Sequence, residues 1–104
     1  MPMTNNKFLS LVGLCQKAKK LVSGEFSCIN AIRSKNAKLI IVACNASENT
    51  KKKFANAADF YKIDIIYICN KEDLGNIIGK DIRSSIVITD EGFAKRLKEL
   101  SNTD

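Results

Sequence analysis

The stretch Leu39-Ile40-Ile41-Val42-Ala43-Cys44 is a continuous apolar run in which apolar and polar residues do not alternate. A strand with this pattern is buried on both faces, as the central strands of α/β proteins are. A second run extends from Ile63 to Cys69 with Asp64 as its interruption, and a third is Ile86-Val87-Ile88. These runs predict a small sheet that is covered on both sides.

Helical patterns alternate with the apolar runs. Four or five helices and three or four short strands are predicted, and each helix is recognised by its first residue and by apolar residues at steps of three or four. For each candidate helix the starting residue is given first and the apolar face after it: Asn5 or Asn6 with Phe8, Leu11, Val12, Cys15 and Ala18; Gly24-Glu25 with Phe26, Ile29 and Ile32; Ser47 with Phe54, Ala57, Ala58 and Tyr61; Asn70 with Leu74, Ile77 and Ile78; and Asp90 with Phe93, Leu97 and Leu100. This order predicts an α/β fold, a three-layer α/β/α sandwich.

Length and charge limit the possible functions. The 104 residues suit one domain over 1–104. There are 17 Lys and Arg against 11 Asp and Glu, a formal net charge of +6. Such an excess attracts polyanions, although it would also serve solubility alone.

The N-terminal segment is similar to an export signal, because Lys7 precedes an apolar run that ends at Cys15. Leu14 stands where processing needs a small side chain, and polar and basic residues follow. The segment is therefore predicted to be an amphipathic helix of a cytoplasmic protein. No run reaches the roughly 20 apolar residues that a membrane helix needs.

The cysteines and the absent histidine argue against a metal, a cofactor and an enzymatic activity. Cys15, Cys28, Cys44 and Cys69 are far apart in the chain, and there is no histidine. Zinc sites need clustered Cys and His, and histidine is the commonest general base. Because no glycine-rich nucleotide motif is present either, we expect no cofactor and no catalysis.

Two loops are candidates for RNA binding. In the first, Lys19 and Lys20 precede Ser23-Gly24-Glu25 at a helix start, where free backbone N–H groups and positive charge suit phosphate. Glu25 can accept hydrogen bonds from a base edge, or it simply stabilises the helix dipole. The second is Lys80-Asp81-Ile82-Arg83-Ser84-Ser85, in which Ile82 covers an unstacked base or packs into the core edge.

A third basic feature is the run Lys51-Lys52-Lys53. Such runs are usually solvated helix faces, but they also add a salt-sensitive attraction to nucleic acid.

At these residues the chain resembles bacterial YlxQ-type proteins, which belong to the ribosomal protein superfamily that recognises kink-turns in RNA. The similarity extends from about Leu9 to Leu97. Its most specific blocks are N-A-S-E-N-T-K-K-K at 45–53 and T-D-E-G-F-A-K at 89–95. The resemblance implies a four-stranded mixed sheet, with Leu21 and Val22 in a short strand, and binding of structured RNA.

The resemblance also implies site residues. The superfamily has a Gly-x-Asn-Glu-x-x-Lys-like motif at the start of its second helix, and Glu25 takes the place of the motif glutamate. Its carboxylate would bond the Watson–Crick edge of a guanine, while the loop Ile82-Arg83-Ser84 packs on a flipped base. This chain departs from the motif because Val22, Gly24 and Cys28 replace its glycine, asparagine and lysine.

The sequence therefore favours non-catalytic binding of structured RNA, kink-turn-like or ribosomal, without DNA specificity or membrane attachment. Two alternatives stay open, since fold does not determine function. One is a protein-interaction module, and the other is a substrate-recognition domain for an RNA-modifying partner. The oligomeric state is also left open.

Overall fold

The computed structural model describes residues 6–102, over which five helices and four strands alternate. Their bounds are α1 Asn6–Lys17, β1 Leu21–Ser23, α2 Glu25–Arg33, β2 Leu39–Val42, α3 Glu48–Tyr61, β3 Ile65–Tyr67, α4 Lys71–Ile77, β4 Ser85–Ile88 and α5 Glu91–Ser101. The predicted cap residue Asn5 lies outside the described residues, and Asn6 is already the first residue of α1.

The sheet is mixed, and its strand order is β1-β4-β2-β3. Strand β4 is antiparallel to both β1 and β2, whereas β2 and β3 are parallel. Helices α2 and α3 pack on one face, and α1 with α4 and α5 packs on the other. This arrangement confirms the predicted three-layer α/β/α sandwich around a four-stranded mixed sheet.

The core lies where the longest apolar runs are. Every residue of β2 and every residue of β4 is buried, because helices cover both faces of these two central strands. Phe8 and Val12 of α1, Phe54 of α3 and Leu97 of α5 fill the two helix–sheet interfaces. Burial of apolar side chains of this size is the main favourable contribution to folding, about 1.5–3 kcal/mol each.

Three of the predicted helix caps are confirmed. Ser47 accepts a hydrogen bond from the amide of Thr50, Asn70 from the amide of Asp73, and Asp90 from the amide of Phe93. Each bond satisfies one backbone N–H that has no partner within its own helix.

Two residues that were assigned to apolar helix faces are exposed. Ala18 lies beyond the end of α1, and Phe26 of α2 is 80% exposed. The buried face of α2 consists of Cys28, Ala31 and Ile32. Phe26 is two positions from Cys28, about 200° around a helix, so it points away from the sheet.

Candidate nucleic-acid interface

The sheet topology brings the two predicted loops together. Strands β1 and β4 are antiparallel neighbours with Ser23 opposite Ile86, so the residues after β1 lie beside those before β4. The amide of Gly24 donates to the carbonyl of Ser85 over 3.2 Å, and Arg83 Nε donates to Ser23 Oγ over 3.1 Å. Residues 23–25 and 80–84, called here the loop pair, therefore form one continuous surface.

Glu25 is the first residue of α2 and is held by a lysine of α3. Lys53 Nζ donates to Glu25 Oε2 over 2.5 Å, and the two side chains are 52% and 49% exposed. An ion pair this exposed adds little stability, about 0–1 kcal/mol. Its main effect is to orient the Glu25 carboxylate, which stays accessible to a ligand.

Gly24 precedes α2 and has a φ of +91°, a backbone conformation that side-chain-bearing residues rarely adopt. No atom lies within 4 Å of the position that a Cβ would occupy, so the space beside Gly24 is open. Gly24 also provides no side-chain cap for α2. The free backbone N–H groups at the start of this helix can thus donate hydrogen bonds to an acceptor on a ligand, such as a phosphate oxygen.

Arg83 holds the two loops of the loop pair together through hydrogen bonds. Its amide donates to the carbonyl of Lys71 over 3.0 Å, and its Nη1 donates to the carbonyl of Ile82 over 2.8 Å. Together with the bond from Nε to Ser23, these contacts connect α4, the loop before β4 and the end of β1. The direct contact of Arg83 with RNA stays a prediction, and within the protein its hydrogen bonds hold the two loops together.

The remaining residues of the second loop are placed differently from one another. Ile82 is 48% exposed, so it projects from the loop and is not part of the core edge. Ser84 is half-buried, and its carbonyl accepts a hydrogen bond from the amide of Ala43 over 2.9 Å. Lys80 and Asp81 are exposed and of opposite charge, so the loop pair carries both signs.

Gly75 of α4 lets the second loop lie close to its helix. A Cβ at this position would lie 2.5 Å from the Asp81 carbonyl oxygen and 2.9 Å from Ile82 Cα. The carbonyl of Gly75 also accepts a hydrogen bond from the amide of Lys80 over 2.8 Å. The position of Ile82 therefore depends on the absence of a side chain at residue 75.

Asn45 connects the end of β2 to the start of α4. Its Oδ1 accepts from the amide of Lys71 over 2.9 Å, and its Nδ2 donates to Glu72 Oε1 over 3.1 Å. The hydrogen bond from Asn45 holds the pKa of the Glu72 carboxyl below its usual value. Because the carbonyl of Lys71 accepts from the amide of Arg83, Asn45 indirectly supports the loop pair.

The structure separates Lys19 and Lys20 from Ser23-Gly24-Glu25, with which the sequence had grouped them. Strand β1 lies between the two sets, and the carbonyl of Lys20 accepts from the amide of Thr89 at the opposite end of the β1–β4 pair. Three strand residues span about 10 Å. In addition to Lys80 of the second loop, α3 provides a lysine at this surface, since Lys53 contacts Glu25.

Sequence reasoning missed three features of this part of the molecule: the exposure of Phe26, the hydrogen bonds of Asn45 to the start of α4, and the contact of Lys53 with Glu25. The burial of Phe26 was misjudged because Cys28 was not counted as an apolar residue of its helix. The spacing of Cys28 and Ile32, four residues apart, was the signal for the true buried face. No local signal pairs Lys53 with Glu25, because the two belong to different helices.

The described residues 6–102 contain no group of three His, Cys, Asp or Glu side chains that could hold a metal ion. Burial raises the pKa of the Cys28 thiol to about 12, so it stays protonated near neutral pH. Among the helices of this range, none has the length and apolarity to cross a membrane.

Comparisons with known proteins agree with this geometry. Residues 6–98 match the model of the Ribosomal protein L7Ae/L30e/S12e/Gadd45 family. The chain is 38% identical to the RNA-binding protein YlxQ of Bacillus subtilis (strain 168), over 94% of this chain and 98% of the relative. It is 40% identical to the RNA-binding protein YlxQ of Enterococcus faecium, over 90% of each chain.

Solved structures have the same fold. A protein of unknown function from Bacillus halodurans C is 34% identical and superposes with a TM-score of 0.90, over 93% of this chain and 98% of the other. The Giardia lamblia 15.5kD RNA binding protein superposes with a TM-score of 0.78 at 15% identity, over 96% of this chain and 86% of the other. Because the family model covers residues 6–98 and the curated relatives are 38% and 40% identical, this chain belongs to the Ribosomal protein L7Ae/L30e/S12e/Gadd45 family.

Proposed function

We propose that this protein binds structured RNA in the cytoplasm through Glu25 and the loop pair, without catalysing a reaction. The target class is a bent RNA with tandem G·A pairs, kink-turn-like or ribosomal. The observation that carries the proposal is the contact of Arg83 with Ser23, which joins the loops beside an accessible Glu25 carboxylate. The relatives named as RNA-binding proteins support the same partner class.

Recognition would begin at Glu25. A carboxylate only accepts hydrogen bonds, and the Watson–Crick edge of guanine presents N–H donors, so the two are complementary. Lys53 holds the carboxylate at the start of α2 and adds a positive charge close to it. This charge substitutes for the lysine of the superfamily motif, whose place is occupied by the buried Cys28.

The apolar part of the interface would receive an unstacked base. Ile82 in the loop pair is 48% exposed, and Phe26, the second residue of α2, is 80% exposed. Proteins recognise RNA sequence mainly through unpaired bases that lie on aromatic or apolar side chains. The exposed start of α2 beside Gly24 would accept a phosphate.

Glu25→Ala tests the proposal. The variant should lose about 10- to 100-fold in affinity for a bulged RNA with tandem G·A pairs, because a hydrogen bond to a charged group contributes about 1.5–3 kcal/mol. Its affinity for plain duplex RNA should be unchanged or slightly higher, since removal of a carboxylate releases Lys53. Equilibrium binding to both RNAs at one salt concentration measures the two effects.

Glu48→Ala is the matched control. Glu48 is also in the first turn of its helix and faces a lysine, Lys51, at 3.9 Å, but its side chain is 92% exposed. It should leave the affinity for both RNAs nearly unchanged. Equal affinity of the natural protein for bulged and duplex RNA would contradict specific recognition. If the protein retains no cellular RNA on a filter at low salt, the alternative of a protein-interaction module is favoured.

A further inference from the structure

A groove between α2 and α3 is lined by residues of both helices, among them Lys53, the ion-pair partner of Glu25. Its volume is about 310 Å³, and half-buried side chains of Ile29, Ala57 and Tyr61 form its floor. Cavities of this size are at the lower end of those that hold small ligands. The groove is thus large enough for one flat ring system.

The rim of the groove has a specific chemistry. Two cations, Arg33 and Lys53, and the amide of Asn56 line it together with Phe60, which is 76% exposed. The ring of Phe60 contacts Tyr61 edge to face, with centroids 4.9 Å apart at 77°. No carboxylate is among the described residues that line the groove. Because Lys53 is paired with Glu25 outside it, the charge that the groove offers to an anion comes chiefly from Arg33.

The groove is continuous with the proposed RNA surface. Lys53 belongs to both, since it contacts Glu25 and lines the groove. Glu25, Ile29 and Arg33 lie four residues apart on one stripe of α2. From Glu25 to Arg33 the helix rises about 12 Å, so an RNA strand that leaves Glu25 in this direction would pass along the groove.

We propose that this groove binds an unpaired nucleotide of the RNA next to the segment that Glu25 recognises; this inference rests on the proposed function. The base stacks on Phe60, Arg33 and Lys53 bind the adjacent phosphates, and Asn56 lies within the same rim to meet the base edge. Exposed aromatic rings combined with cations are the usual means by which proteins hold unpaired bases. A helix of a partner protein would use the apolar floor but would not need two cations.

The test compares three forms of one bulged G·A RNA. The first is blunt, the second has a single-stranded oligouridine tail, and the third has an abasic tail of equal length. Each tail is tried at the 5′ end and at the 3′ end. For at least one end, the oligouridine tail should raise the affinity of the natural protein by about 5- to 100-fold over the blunt RNA. The abasic tail should raise it much less, because it has the charges without the bases.

Variants test whether the groove causes the gain in affinity from the oligouridine tail. Phe60→Ala should lose the gain from the oligouridine tail and bind the blunt RNA within roughly twofold of the natural protein. Tyr67→Ala is the control, since Tyr67 is 44% exposed on β3 and does not line the groove, and it should keep the gain. A 4-thiouridine in the tail should crosslink to the α3 peptide that contains Phe60.

The outcomes separate this inference from the proposed function. If the blunt RNA binds specifically but no tail adds affinity, the groove inference is wrong and the Glu25 site stands. An equal gain from the abasic tail, or a gain that Phe60→Ala retains, also overturns it. If the blunt RNA shows no specific binding, the proposed function fails. In that case, crosslinking of a free oligonucleotide that contains 4-thiouridine to the α3 peptide still decides whether the groove holds a nucleotide.

Discussion

Gly75 is the residue whose replacement has the most direct steric consequence. An added methyl group would lie 2.5 Å from the carbonyl oxygen of Asp81, a backbone atom that no side-chain rotation can remove. Gly75→Ala should therefore move the second loop and destabilise the protein by about 1–3 kcal/mol, as overpacking does. It should also weaken binding of the G·A RNA through the displacement of Ile82.

Urea unfolding and RNA titration measure these two effects. Gly13→Ala is the matched control, because the nearest atom to its new Cβ would be Ile77 Cγ1 at 3.4 Å, an ordinary contact. That substitution in the interior of α1 should be neutral or stabilising, since alanine favours a helix by about 1 kcal/mol over glycine. Equal stability of the Gly75→Ala variant and the natural protein would refute the steric argument.

At the scale of elements, the loop pair depends on how α4 is attached to the sheet. Asn45 accepts from the amide of Lys71, the first residue of α4, and the carbonyl of Lys71 accepts from Arg83. Asn45→Ala should cost about 1 kcal/mol of stability, because it leaves a helix-terminal N–H without this acceptor. It should also speed hydrogen exchange at the amide of Arg83, because the carbonyl of Lys71 that accepts from this amide then moves more freely.

Asn49→Ala is the comparison for this prediction, since Asn49 is an exposed asparagine in the first turn of α3. It should change neither the stability nor the exchange at Arg83. If both variants behave alike in denaturant unfolding and amide exchange, α4 is held by its apolar contacts alone, through Leu74 and Ile78 in the core.

For the whole molecule, the net charge of +6 and the local site make separable contributions to RNA binding. Charge-driven affinity falls linearly with the logarithm of salt concentration, by a slope that counts phosphate contacts. The double substitution Lys51→Gln and Lys52→Gln should reduce this slope and lower the affinity for bulged and duplex RNA by the same factor. Lys53 stays in place, so the ratio of the two affinities should not change.

Titrations at several salt concentrations, with both RNAs, measure the slope and the ratio. A changed ratio would mean that Lys51 or Lys52 reads RNA shape, contrary to their position outside the loop pair. An unchanged slope would mean that this part of α3 lies away from the bound RNA.

Most of the fold was predictable from local patterns. The run at 39–44 predicted a buried central strand, and β2 is buried throughout. Ser47, Asn70 and Asp90 predicted helix starts, and each caps its helix. Both kinds of signal depend on neighbouring residues in the chain, where hydrophobic periodicity and capping act.

The candidate site was predictable only in part. Ser23, Gly24, Glu25, Ile82 and Arg83 were named from composition and resemblance, and they lie together. The placement of Lys19 and Lys20 beside them was wrong, because a strand intervenes. Phe26 was assigned to the apolar face of α2 because Cys28, which lies on the buried face with Ile32, was not counted as apolar.

The sequence by itself thus determined the class of fold, the order of its helices and strands and the excess of positive charge, all of which follow from composition and short-range spacing. Only the tertiary structure decided that Arg83 bonds Ser23, that Lys53 faces Glu25 and that Gly75 lies under Asp81. These contacts join residues from separate elements. Strand order and helix packing create them, and no pattern within one segment encodes where another segment will lie.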